Sequence, residues 1–96
     1  MNDKREQAIA TKQLENERVI VTEWRFAPGA ETGWHRHEHD YVVCPVVDGT
    51  LLLETNDGDV EAQLSKGQTY AREVGVEHNV VNNGDREMVF VEIELK

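Results

Sequence analysis

Apolar and polar positions along this chain follow the period of β-strands rather than of helices. Val19-Ile20-Val21-Thr22-Glu23-Trp24-Arg25-Phe26 is rich in β-branched and aromatic residues and ends at Pro28-Gly29, a turn signal. Further apolar runs occupy 41–47, 50–54, 60–64, 69–74, 78–82 and 88–95, separated by Asp48-Gly49, Asp57-Gly58, Lys66-Gly67 and Asn83-Gly84. Most of these dipeptides favour tight hairpin turns. In the last run Val89, Val91, Ile93 and Leu95 alternate with Met88, Phe90, Glu92 and Glu94. That pattern predicts a strand with one fully apolar face and with Glu92 and Glu94 at solvated positions. Nothing after residue 16 keeps a helical period over a helix's usual length. Short, closely spaced strands with Gly-centred turns predict an all-β sandwich or barrel.

Residues 1–16 are polar and mixed in charge, with Ile9 and Leu14 as the large apolar anchors. They are expected to form an arm with a helical turn, and residues 17–96 a single domain. A chain of 96 residues has no room for a second core. So small a domain buries little, which makes a homodimer the expectation. The strand around Val19-Ile20-Val21 is apolar on both faces and suggests pairing through an outer sheet face. Nineteen acidic against ten basic side chains give a formal charge of −9, which repels phosphate backbones and argues against nucleic acid as a partner. No run approaches the ~20 apolar residues of a membrane helix, and the first residues lack a signal peptide's apolar stretch. A cytoplasmic location is expected. Cys44 is the single cysteine, within an apolar run, and is expected to be a buried, inert thiol.

The chemistry-bearing residues are histidines. His35 and His37 are one residue apart, so in an extended strand both imidazoles face one side and can meet one ion. Gly29, five residues, and His35-Arg36-His37 are followed by Gly49; Gly67 is followed by Gly75, His78 and Asn82. These spacings resemble the two signature motifs of the cupin superfamily, G-x5-H-x-H-x4-E-x6-G and G-x5-P-x-G-x2-H-x3-N. The resemblance implies a double-stranded β-helix, or jelly roll, with a metal in the barrel mouth. It implies that His35, His37 and His78 are ligands, that Gly49, Gly67 and Gly75 are turn glycines, and that Asn82 closes the second motif. Residues 22–43 further resemble a narrower group of bacterial one-domain cupins, one of which is named for β-alanine degradation. That implies a place in small-molecule catabolism.

Two positions depart from the family pattern. Glu73 stands where the motif has Pro, and Val42 stands where it has a carboxylate ligand. Either Asp40, on Val42's strand parity, supplies a fourth ligand, or three histidines with open positions bind the ion; the second is preferred. Asp40 has an equal alternative as acceptor for an imidazole N–H. His39 is expected to be exposed, Arg36 to point outward, and Trp24, Phe26 and Trp34 to pack in the core or a dimer interface. Tyr70 and Arg72 share a face, where a cation suits an anionic substrate; a salt-bridged surface arginine is the alternative. Imidazoles suit Fe, Ni, Zn or Mn, one divalent ion per chain. The resulting expectation is a metal-dependent dioxygenase, isomerase or lyase acting on a small anionic molecule, with a non-catalytic binding or sensor module as the alternative.

Overall fold

The structure, a computed structural model, describes residues 4–96; the first three residues of the expected arm lie outside it. Among the described residues every regular element is a strand. These are β1 (Ile9–Glu15), β2 (Val19–Phe26), β3 (His35–Arg36), β4 (Asp40–Pro45), β5 (Gly49–Thr55), β6 (Gly58–Leu64), β7 (Tyr70–Arg72), β8 (Glu77–Val81) and β9 (Met88–Leu95). They form two antiparallel sheets, one ordered β1-β2-β9-β4-β7 and the other β3-β8-β5-β6. This is the predicted all-β jelly roll. No described helix is long and apolar enough to cross a membrane.

The strands follow the apolar runs, and Gly58, at φ 107°, closes the hairpin between β5 and β6 where Asp57-Gly58 predicts it. Gly49 answers to a different need: a Cβ there would collide with the thioether of Met88. Residues 9–15 differ from expectation. They form no helical turn but an edge strand paired with β2 from Ile9↔Arg25 to Glu15↔Ile20, with a register shift between Lys12 and Leu14. All of β1 is exposed, so main-chain hydrogen bonding rather than an apolar face recruits it.

The core lies between the sheets, around Phe26, Tyr41, Val43, Leu51, Leu64, Val80, Met88 and Phe90. Asn82 is fully buried beside it. Its Nδ2 donates to the carbonyls of Phe26 (3.2 Å) and Arg86 (2.7 Å), and its Oδ1 accepts from the Gly84 N–H (3.1 Å). It therefore fastens the loop before β9 to the end of β2. The more apolar side of β9 is not the inner one. Met88, Phe90 and Glu92 are buried, whereas on the other face Val89 is buried, Val91 and Ile93 are half-buried and Leu95 is exposed. Cys44 shares the outer parity with Val42 and is half-buried rather than buried.

Candidate metal centre

β3 is only two residues long, but its pairing sets His35 directly opposite His78 on β8. Two further main-chain bonds continue the contact: the His37 N–H donates to the Val76 carbonyl, and the Gly75 N–H to the His37 carbonyl, both at 2.9 Å. Alternation then sends His35 and His37 to one face, where cross-strand pairing has already placed His78. The Nε2 of His37 lies 3.1 Å from that of His35 and 3.1 Å from that of His78. His37 and His78 are buried, and His35 is half-buried.

The donor set fits a divalent transition metal. An ion about 2.0–2.1 Å from each imidazole nitrogen spaces its ligands about 2.9 Å apart at right angles and about 3.3 Å at the tetrahedral angle. The observed separations fall between. His35 Nδ1 lies 2.9 Å from the Gly33 carbonyl, which can only accept, so that nitrogen carries the hydrogen and Nε2 keeps its lone pair. Burial, reinforced by His35 and His78, pushes His37 down to about 3. Burial, reinforced by His35 and Arg72, pushes His78 down to about 4. Both rings are thus neutral at pH 7, the form a metal takes.

Three further side chains close around these rings. Tyr41 stacks on His37 with ring centroids 3.8 Å apart, and burial raises its phenol above the ordinary value. Glu92 reaches in from β9, its Oε2 3.9 Å from His37 Nδ1. Burial, and then the charge of Glu94, push its carboxyl up to about 7. Glu94 in turn lies 3.5 Å from Nδ1 of the half-buried His39. A cavity of about 40 Å³, with Tyr70, Arg72 and Phe90 in its wall, adjoins the histidines. It has room for about three water-sized groups. An open cleft that shares Trp24, Thr32, His35, His37 and Glu92 with this cavity also passes Thr22, His39 and Glu94.

The sequence pattern of the family described as Cupin domain matches residues 22–94. The chain belongs to the cupin family. This cupin is 65% identical over 92 residues to a Pseudomonas aeruginosa protein named "Beta-alanine degradation protein BauB", spanning 96% of this chain and 97% of that one. It is 62% identical to a cupin domain of Bordetella pertussis Tohama I whose crystal structure superposes with a TM-score of 0.97 over 99% of both chains. A protein of Klebsiella pneumoniae with a double-stranded β-helix domain, 23% identical, shares the fold at a TM-score of 0.75, over 93% of this cupin and 76% of that chain.

The structure brings His35, His37 and His78 together and leaves Asp40 apart. Asp40 is exposed, and its Oδ1 accepts the Val74 N–H at 2.8 Å, pinning the turn after β7. Its strand parity is the reason. On β4 the inward positions are Tyr41 and Val43, so Asp40 and Val42 both point out of the barrel, and Tyr41 rather than a carboxylate lies against His37. The carboxylates near the histidines of this cupin are Glu92 and Glu94, whose oxygens lie within 4.8 Å of a His37 nitrogen and of each other, at positions the sequence pattern assigns to solvent. For Glu92 the signal was the company it keeps, since it shares its strand face with Met88 and Phe90. Tyr70 and Arg72 line the cavity with the histidines, the Arg72 guanidinium 5.2 Å from the centre of the Tyr70 ring. His39 is half-buried rather than exposed, and Trp34 is 51% exposed rather than packed.

Proposed function

We propose that this cupin binds one divalent transition metal per chain through His35, His37 and His78 and acts as a metal-dependent enzyme on a small anionic metabolite in the breakdown of β-alanine. The observation that carries the reading is the convergence of three imidazole nitrogens beside a cavity that also presents the Arg72 guanidinium and the buried Glu92 carboxyl. Fe, Ni, Zn and Mn all suit this donor set. When bound, such an ion supplies Lewis acidity toward a carboxylate or enol oxygen. The remaining steps belong to the chain. Arg72, at the cavity wall, attracts the substrate carboxylate. Glu92, poised near neutrality, holds a proton on its carboxyl oxygen or receives one from substrate. Phe90 and Val43 exclude water behind it. The small cavity suits a metabolite of a few heavy atoms, in keeping with the name carried by the Pseudomonas relative.

Elemental analysis of purified protein tests the premise: one metal per chain in the wild type, and strong loss in both His35→Ala and His78→Ala. Equal metal in all three would overturn the site. If metal is present and a carboxylate shifts the melting temperature without product in an untargeted metabolite screen, the chain is a binding or sensor module.

We further propose a cytoplasmic homodimer. Val21, Ile93 and Val42 are cross-strand neighbours in one row on the outer face of the five-stranded sheet, with Val91 and Leu95 on the same face. Beside them β1 is exposed along its length. A second copy presents the same apolar row to this one, so that a two-fold contact buries both. Light scattering should read twice 11.0 kDa, and Ile93→Lys should halve it. A single-chain mass for the wild type would sink the dimer.

A further inference from the structure

Asn79 follows His78 on β8, and alternation points it to the opposite, outer face, where it pairs with Glu54 of β5. There it is 7% exposed and fully hydrogen-bonded. Its Oδ1 accepts from the Gly33 N–H at 2.9 Å and from the Thr32 hydroxyl at 3.4 Å. Its Nδ2 donates to Glu31 Oε1 at 2.8 Å and to Glu54 Oε1 at 2.9 Å. Carboxylates only accept and a backbone N–H only donates, so the amide has one orientation open to it. Arg5 bridges the two carboxylates, reaching Glu31 and Glu54 each at 3.0 Å. Its segment is itself fastened by the Ala8 N–H to the Glu31 carbonyl (2.8 Å) and by the Glu31 N–H to the Glu6 carbonyl (2.9 Å).

The other end of this network is a candidate metal ligand. Gly33, held at φ 89° where a side chain is disfavoured, donates its N–H to Asn79 and offers its carbonyl to His35 Nδ1 at 2.9 Å. The Thr32 hydroxyl lies 3.3 Å from the same nitrogen. We propose that Asn79 is a positioning residue for His35. It holds the Thr32-Gly33 turn so that the Gly33 carbonyl keeps His35 in the Nδ1–H form with Nε2 bare toward His37, and Arg5 with its two carboxylates holds Asn79. The inference rests on the reading of the three histidines as a ligand set. Without the amide, the Gly33 N–H loses its partner, the turn relaxes, and His35 is free to turn or to carry its hydrogen on Nε2, the form that cannot bind.

The test uses the full chain and two readouts. Long-range ¹H–¹⁵N NMR of the metal-free protein reports the His35 tautomer, and titration with Co²⁺ against a competing chelator reports affinity and the visible absorption of the bound ion. Asn79→Ala is expected to show mixed His35 tautomers while His78 is unchanged, and to weaken Co²⁺ binding by roughly 10–100-fold with an altered spectrum. Asn79→Asp combined with Glu31→Gln and Glu54→Gln exchanges donor and acceptor across both carboxylate contacts and should recover most of both. A folded Asn79→Ala with the wild-type tautomer and wild-type affinity overturns the proposal. Should that variant fail to fold, Asn79→Ser, too short to span Gly33 and the carboxylates, takes its place: mixed tautomers with weakened Co²⁺ binding support the proposal, and wild-type values of both overturn it. A wild type that binds no Co²⁺ would end the ligand-set reading, while the tautomer comparison on metal-free protein still decides the role of Asn79.

Discussion

Replacing Glu92 by glutamine should make the metal-free protein more stable, and increasingly so as pH rises from about 4.5 to 7. Glu92 is 9% exposed, and burial together with the charge of Glu94 moves its carboxyl from 4.5 to about 7. Between these values the folded state keeps a proton that the unfolded state has released, so the wild type loses stability as pH rises through the window. Above pH 7 the loss is complete. At ~1.36 kcal/mol for each tenfold displacement, holding an ionised Glu92 in the fold costs up to roughly 3 kcal/mol, and relaxation around it brings the expected gain to about 1–3 kcal/mol. Glutamine keeps the shape and removes the charge. His37 and His78, held well below their ordinary values, destabilise the fold as pH falls, but equally in both proteins, so they cancel in the difference. Urea unfolding of both proteins at pH 5 and pH 8 is the assay, with thermal unfolding alongside. A gain of 1 kcal/mol corresponds to ~4–8 °C in Tm for a domain of this size. The two proteins should be close at pH 5 and separate at pH 8. Parallel pH dependences would refute the buried-carboxyl argument. Loading with Zn²⁺ should narrow the gap, because a dication on the neighbouring histidines favours the ionised carboxylate.

Other substitutions probe the ligand set and the frame that holds it. Asp40→Asn should leave metal content at the wild-type level and stability within ~1 kcal/mol, since the amide oxygen can still accept the Val74 N–H. Strong metal loss by elemental analysis would instead restore Asp40 as a ligand. Asn82→Ala should cost about 1–3 kcal/mol in urea unfolding, because it strands the buried Phe26 carbonyl and takes their partner from the part-buried Gly84 N–H and Arg86 carbonyl. A change under ~1 kcal/mol would mean that the loop before β9 is held by something else.

Several features of the molecule were legible in the residue order. Strand periodicity and Gly-centred turns marked seven of the nine strands among the described residues, from Val19–Phe26 to Met88–Leu95. The two it missed have no periodic apolar face: β1 is exposed throughout, and β3 is two residues long. The His-x-His spacing with a distant His78 located the cluster, because period-2 alternation alone puts His35 and His37 on one face. What alternation leaves open is which face turns inward. On β9 the sequence favours Val91 and Ile93 for the interior, yet barrel closure turned Phe90 and Met88 inward and carried Glu92 with them. On β4 the same choice brought in Tyr41 and turned Asp40 and Val42 out.

By itself the sequence determined the strand order along the chain, the turns and the three histidines, since each depends on residues a few positions apart. The tertiary structure alone decided the surroundings of those histidines: Tyr41 against one ring, Glu92 behind it, and the Arg5 network reaching His35 through Asn79. Tyr41 is only four positions from His37, but the other contacts join residues dozens of positions apart across two sheets, and all of them exist only once the barrel has closed and each strand has committed one face to its interior.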